Sequence, residues 1–66
     1  MVVVCDVEEL RVGDMVGTDN NLVLHSVLSP SNPKCVVLTL LTPNGVKQLS
    51  YYKNHVMRRL GREGEG

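Results

Sequence analysis

The stretch CVVLTLLT, residues 35–42, narrows the choice of fold more than any other part of this chain. It sets Val36, Leu38 and Leu40 against Val37, Thr39 and Leu41, and it runs straight into Pro43-Asn44-Gly45. A period of two in β-branched and aliphatic residues predicts a strand. Pro-Asn-Gly behind it predicts a tight turn, with proline presetting φ and glycine accepting backbone that other residues avoid. VKQLSYY, residues 46–52, then returns as the partner strand of a hairpin. One face of the 36–41 segment belongs to a core. Val37, Thr39 and Leu41 on the other face also call for cover, and a second copy of the chain is the simplest cover for a barrel this small.

The remaining residues use the same grammar. Val2–Cys5 reads as a short strand, and Asp6 with Glu9 three positions later forms a capping-box pattern that suits one helical turn. Gly13 and the Asp19-Asn20-Asn21 cluster read as turns on either side of a short strand in MVGT. LVLHSVLS alternates Leu22, Leu24, Ser26 and Leu28 against Val23, His25 and Val27, and PSNPK interrupts the ladder as a loop. VMRRL, residues 56–60, closes as a last strand, although Tyr52, Val56 and Leu60 are spaced four apart and leave a helical ending open. Turns about every ten residues predict an all-β barrel of five to six short antiparallel strands over residues 1–60. Residues 61–66, GREGEG, are expected to be a disordered polar tail.

Composition sharpens the case for self-association. Sixty-six residues make one domain, and the chain has neither Trp nor Phe, so its core must come from Val, Leu and Met. A chain of this size hides only about 60% of its unfolded surface. A hydrophobic share of 42% nevertheless excludes disorder over most of the length. The opening MVVVCDVEEL has no basic leader and too short an apolar run for a signal peptide or membrane span, so a cytoplasmic location with reduced Cys5 and Cys35 is expected. Net charge is zero but lopsided: residues 1–33 hold five acids against Arg11, a balance of −4, and residues 34–66 hold six bases against Glu63 and Glu65, a balance of +4. Such a split offers either a basic face for an anion or a means of pairing copies.

No catalytic or cofactor signature is complete. Cys5, His25, Cys35 and His55 stand twenty, ten and twenty apart, unlike the close ligand pairs of common zinc sites, so no metal and no cofactor is expected. A Cys–His nucleophile pair would still need an orienting group and an oxyanion pocket, so an enzyme is not expected. The richest segment is KQLSYYKNHVMRRL, residues 47–60. Alternation sends Tyr51 and Tyr52 to opposite sides, one to the core and one free to stack on a base or a partner. Lys47, Lys53, His55, Arg58 and Arg59 supply donors for an anion. These residues form the expected ligand site, set against the plainer reading of basic residues guarding a solvated strand edge.

In DVEELRVGDMV, residues 6–16, the chain resembles the opening of many SH3-like barrels, where Leu-x-x-Gly-Asp-x-Val feeds the first strand. LLTPNGVKQLSYYKNHVMRRL, residues 40–60, is similar to very small phage-type proteins of that fold, with a hairpin ending in Asn-Gly or Asp-Gly, an aromatic strand and a short closing strand. Members often carry Trp or His after the hairpin, where Gln48 and Ser50 stand here. The likeness runs over roughly residues 7–60 and speaks to fold more than function. With the charge split and the lack of catalytic groups, it implies a non-enzymatic, self-associating binding module. Such a module would be a phage accessory or anti-defence factor in the host cytoplasm, sequestering a host protein or a small anionic nucleotide. The alternative is a nucleic-acid-binding barrel.

Overall fold

Period-two patterning becomes pleated sheet through most of the chain. The computed structural model describes residues 1–62 and 64. Its strands are β1 (Val2–Asp6), β2 (Met15–Val16), β3 (Asn21–Leu28), β4 (Cys35–Thr42), β5 (Gly45–Tyr52) and β6 (Val56–Leu60). One 3-10 turn, Val7–Glu9, follows β1, and the Asp6 N–H donates to the Glu9 carboxylate at 3.3 Å, as the capping-box spacing anticipates. All pairings are antiparallel, in the order β1-β6-β2-β3-β4-β5, and the sheet curls into a half-barrel. Residues 56–60, left open between helix and strand by sequence, form a strand. No helix among the described residues is long and apolar enough to cross a membrane.

The concave side holds Val7, Leu10, Val16, Val23, Val36, Leu38 and Leu40, with Cys5, Tyr51 and Met57 packed against them. Val36, Leu38 and Leu40 face inward as alternation requires, and Val37, Thr39 and Leu41 face outward. Strand β3 departs from simple alternation. A bulge between Val23 and His25 adds Leu24 to one side of the ladder, so Val23 shares a face with Ser26 and Leu28, opposite Leu40, Leu38 and Val36. Leu22, His25 and Val27 instead lie opposite Leu41, Thr39 and Val37 on the outer face. The grouping read from sequence is thus corrected at Leu22 and Val23: a bulge inserts one unpaired residue and reverses the sides beyond it.

The half-barrel stays open between its end strands, β1 and β5, which do not pair with each other. The 3-10 turn spans part of that gap: Val7 N–H donates to His55 O at 2.8 Å and Glu8 N–H to Lys53 O at 3.3 Å. Both thiols are free and half-buried. Past residue 60, Gly61 N–H donates to Met1 O at 2.6 Å, and Arg62 lies against the body. The rest of the expected tail, Glu63, Glu65 and Gly66, lies outside the described residues, apart from Gly64.

An interior of seven aliphatics makes each one count. A domain this size has a stability of roughly 3–10 kcal/mol. Leu38→Ala, at a fully buried position, should remove about 2–5 kcal/mol and leave the chain largely unfolded at 37 °C. Leu41→Ala, on the outer face and 45% exposed, should cost less than about 1 kcal/mol. Urea denaturation followed by circular dichroism checks both.

Candidate functional site

The register of the central hairpin assembles a cleft that neither of its segments shows alone. Cys35 pairs with Tyr52 at the end of the β4–β5 ladder. Continuing one step sets Lys34 opposite Lys53, and the Lys53 N–H donates to Lys34 O at 2.9 Å. Directly opposed residues of an antiparallel pair point to the same side. The backbones of the two lysines are therefore held side by side where the PSNPK loop meets the Lys53-Asn54 turn. The loop is fixed locally: Asn32 Oδ1 accepts from Lys34 N–H at 3.0 Å, and Asn32 O accepts from Cys35 N–H at 3.0 Å. Tyr52, 63% exposed, stands beside them, and Pro33, Lys34, Tyr52, Lys53 and Asn54 line an open cleft of about 360 Å³. Among the described residues neither lysine has an acidic partner.

The other residues expected at this site are distributed elsewhere. Tyr51 points inward, half-buried on the core, and its ring stacks on His55 with centroids 5.0 Å apart and planes 29° from parallel. That contact braces the turn whose carbonyls bond the 3-10 turn, so Tyr51 and His55 lie on the opposite side of β5 from Tyr52. Lys47 is exposed five residues up β5, roughly 17 Å from Tyr52 along the extended strand. Arg58 is exposed on β6, near Val2, Gly17, Thr18 and Asn20 in a separate depression of about 290 Å³. Alternation separates it from Arg59, which is only 6% exposed and pairs with Val3 and Val16 in the half-barrel wall. One Arg59 N–H donates to Leu60 O at 3.1 Å. Both arginines line that depression, Arg58 exposed and Arg59 buried in the half-barrel wall, and the depression lies apart from the cleft at Lys34 and Lys53.

Arg59 helps there to hold Asp14, which is buried like itself. Arg62 chelates Asp14 through Nε to Oδ1 at 2.9 Å and through Nη2 to Oδ2 at 2.7 Å. The Arg11 N–H also donates to Oδ2 at 2.8 Å, and Arg62 Nη2 reaches Glu9 O at 3.0 Å. The Arg62 hydrogen bonds hold the Asp14 carboxyl below its usual value of 3.8, aided by the Arg11 N–H and the charges of Arg62 and Arg59, while burial pulls the other way. Part of the charge split read from sequence is thereby neutralised inside the fold. Of the other cations Lys34, Lys47, Arg58 and Arg11 are exposed and Lys53 is half-buried.

Sequence reasoning missed Lys34, Pro33 and Asn54 because they flank the strands rather than occupy them. The signal was present in the hairpin register: once Thr42 is set opposite Gly45, Lys34 must meet Lys53. Among the described residues no group of His, Cys, Asp or Glu side chains could hold a metal ion. Comparison with known proteins finds no matching family model, no matching curated protein and no matching solved structure.

The Asp14 clamp gives a pH prediction. The unfolded chain protonates this carboxyl near its usual value and the folded chain only at lower pH, so its contribution is full above that value and is lost as pH falls through the folded one. Stability should therefore begin to drop as pH falls below about 5 and go on dropping beneath the usual carboxylate range. Asp14→Asn should lose about 1–3 kcal/mol at neutral pH and show a shallower acid limb in urea melts taken across that range.

Proposed function

We propose that this chain is a non-enzymatic binding module of the SH3-like barrel type whose cleft at Lys34, Tyr52 and Lys53 captures a small anionic ligand carrying a ring, of which a nucleotide is the simplest example. The juxtaposition of Lys34 and Lys53 carries the reading. Like charges directly opposite one another destabilise a ladder, so the fold gains nothing from the pair when the cleft is empty. A phosphate placed between them would accept from both ammonium groups, and the exposed Tyr52 ring offers a platform for a base. The cleft volume falls within the range that small ligands occupy.

Capture of this kind works by sequestration: the ligand is held, not converted. The resemblance to small phage-type barrels extends the reading to an accessory factor that withholds a nucleotide from host use. A host protein would be recognised at the same cleft through an acidic side chain beside an aromatic or apolar one. Nucleic-acid binding is less well supported, because Lys47 and Arg58 lie away from the cleft and do not continue it into a backbone track. Self-association belongs to the same proposal, because the β4–β5 hairpin leaves large apolar side chains in solvent, Val46, Leu49 and Tyr52 among them.

Titration calorimetry with nucleoside mono-, di- and triphosphates tests the reading. Lys34→Ala and Lys53→Ala should each weaken binding roughly three- to tenfold, and Tyr52→Ala should reduce the preference for nucleotide over inorganic pyrophosphate. Either lysine variant should also raise the stability of the unliganded protein by a few tenths of a kcal/mol, because it relieves the repulsion. No binding of any of these anions at millimolar concentration would refute the proposal. Tight oligonucleotide binding that falls steeply with added salt would favour the nucleic-acid reading instead.

A further inference from the structure

The half-barrel leaves β5 with an unpaired edge along its whole length. Among the described residues it bonds to β4 alone, and all its residues except Tyr51 are exposed. The Lys53 N–H bond to Lys34 O fixes which backbone groups face which way. Residues 47, 49, 51 and 53 turn their N–H and C=O toward β4, so Val46, Gln48, Ser50 and Tyr52 present theirs to the open side. The usual protections of such an edge are missing. Within β5 there is no proline and no bulge, and Lys47 is the one charged residue. Apolar side chains crowd it instead: Val46 is 61% exposed, Leu49 41% and Tyr52 63%.

We infer that β5 is a homodimer seam, pairing antiparallel with β5 of a second copy about a two-fold axis through Leu49. This register sets Val46 opposite the partner's Tyr52 and Gln48 opposite the partner's Ser50, each with both backbone bonds available. The Tyr52 carbonyl, which already accepts from His55 N–H at 3.0 Å, keeps a second lone pair. Leu49 meets the partner's Leu49 at the axis, in a non-hydrogen-bonded pair where side chains come closest. Every exposed apolar residue of the strand then gains an apolar neighbour, and Lys47 lies opposite the partner's Tyr51.

The neighbouring registers are worse on charge or on contact. Centring the axis on Ser50 sets Lys47 opposite the partner's Lys53 twice over, and like charges at that spacing are unfavourable. Centring it on Gln48 pushes Tyr52 out to the partner's turn at Asn44 and pairs Val46 with Ser50. The β5 edge is also better suited than the outer face at Val37, Thr39 and Leu41. Val37 and Thr39 are already half-buried, and the Thr39 hydroxyl accepts from Gln48 at 3.4 Å.

The seam also bears on the cleft, a consequence that rests on the reading of Lys34, Tyr52 and Lys53 as a ligand site. In this register the partner's Gly45 comes opposite Lys53 and the partner's Val46 opposite Tyr52. The partner's Pro43-Asn44-Gly45 turn thus becomes a wall of the cleft, giving two equivalent sites, one at each end of the seam and each built from both copies.

Sedimentation velocity of the unliganded protein across micromolar concentrations should show a monomer–dimer equilibrium. Ser50→Pro removes an edge N–H and sets a ring where the partner strand would lie, a change that edge strands tolerate. It should give a monomer with unchanged circular dichroism, whereas Leu41→Glu should remain dimeric. Register is read independently by cysteine substitution: Leu49→Cys should cross-link to itself under mild oxidant, and Lys47→Cys, Gln48→Cys and Ser50→Cys should not, with the unaltered chain as control for Cys5 and Cys35. A monomer at all concentrations would overturn the inference. So would a dimer abolished by Leu41→Glu, or faster cross-linking at position 47, 48 or 50 than at 49. A dimer seamed at Leu49 that binds no anion would sink the cleft and leave the seam standing.

Discussion

Everything in this fold depends on burying one aliphatic row. Val36, Leu38 and Leu40 form the inward face of β4, and Val7, Leu10, Val16 and Val23 close over them from the neighbouring segments. Without Phe or Trp the chain has few large side chains to spend on that interior. Its answer is a single curled sheet whose interior is filled by valines and leucines. The strand that supplies the row also sets the register of β3 on one side and β5 on the other. Core and cleft are consequences of the same alignment.

The Asp14 clamp completes what the aliphatics cannot. It ties Arg62 to the Arg11–Asp14 turn across 48 residues and brings two of the chain's basic groups to bear on one buried carboxylate. A charge-assisted, two-point contact of this kind is directional where aliphatic burial is not, so it fixes geometry as well as adding stability. It also removes cations from the surface. Among the cations outside the clamp, Lys34 and Lys53 share one cleft at the end of the hairpin with the exposed Tyr52.

Much of the fold was legible because it is local. The alternation in residues 35–42, the turn at Pro43-Asn44-Gly45, the capping-box pair Asp6 and Glu9, and the opposite orientations of Tyr51 and Tyr52 all follow from interactions within a few residues. The bulge at Leu24 was not legible: either register of that strand places leucines and valines on both sides, and only its pairing with β4 selects one. The site was legible in part. Tyr52 and Lys53, which line the candidate cleft, stand in the segment singled out by sequence, but Lys34 lies nineteen positions before Lys53, in a loop with no periodic signal. Arg59 reads the same as Arg58 in one dimension, and the pleat alone sends one outward and the other into the wall.

The sequence by itself determined the strands, their turns and the aliphatic nature of the interior, because period, proline, glycine and β-branching act through backbone sterics and near neighbours. Tertiary structure alone decided that β1 and β5 end the sheet without pairing to each other, that Asp14 and Arg59 are interior, and that two lysines and Tyr52 line one cleft. Those outcomes depend on register between distant segments and on the curl of the sheet. Both are set by how seven buried side chains fill a shared volume, and no local stretch encodes that.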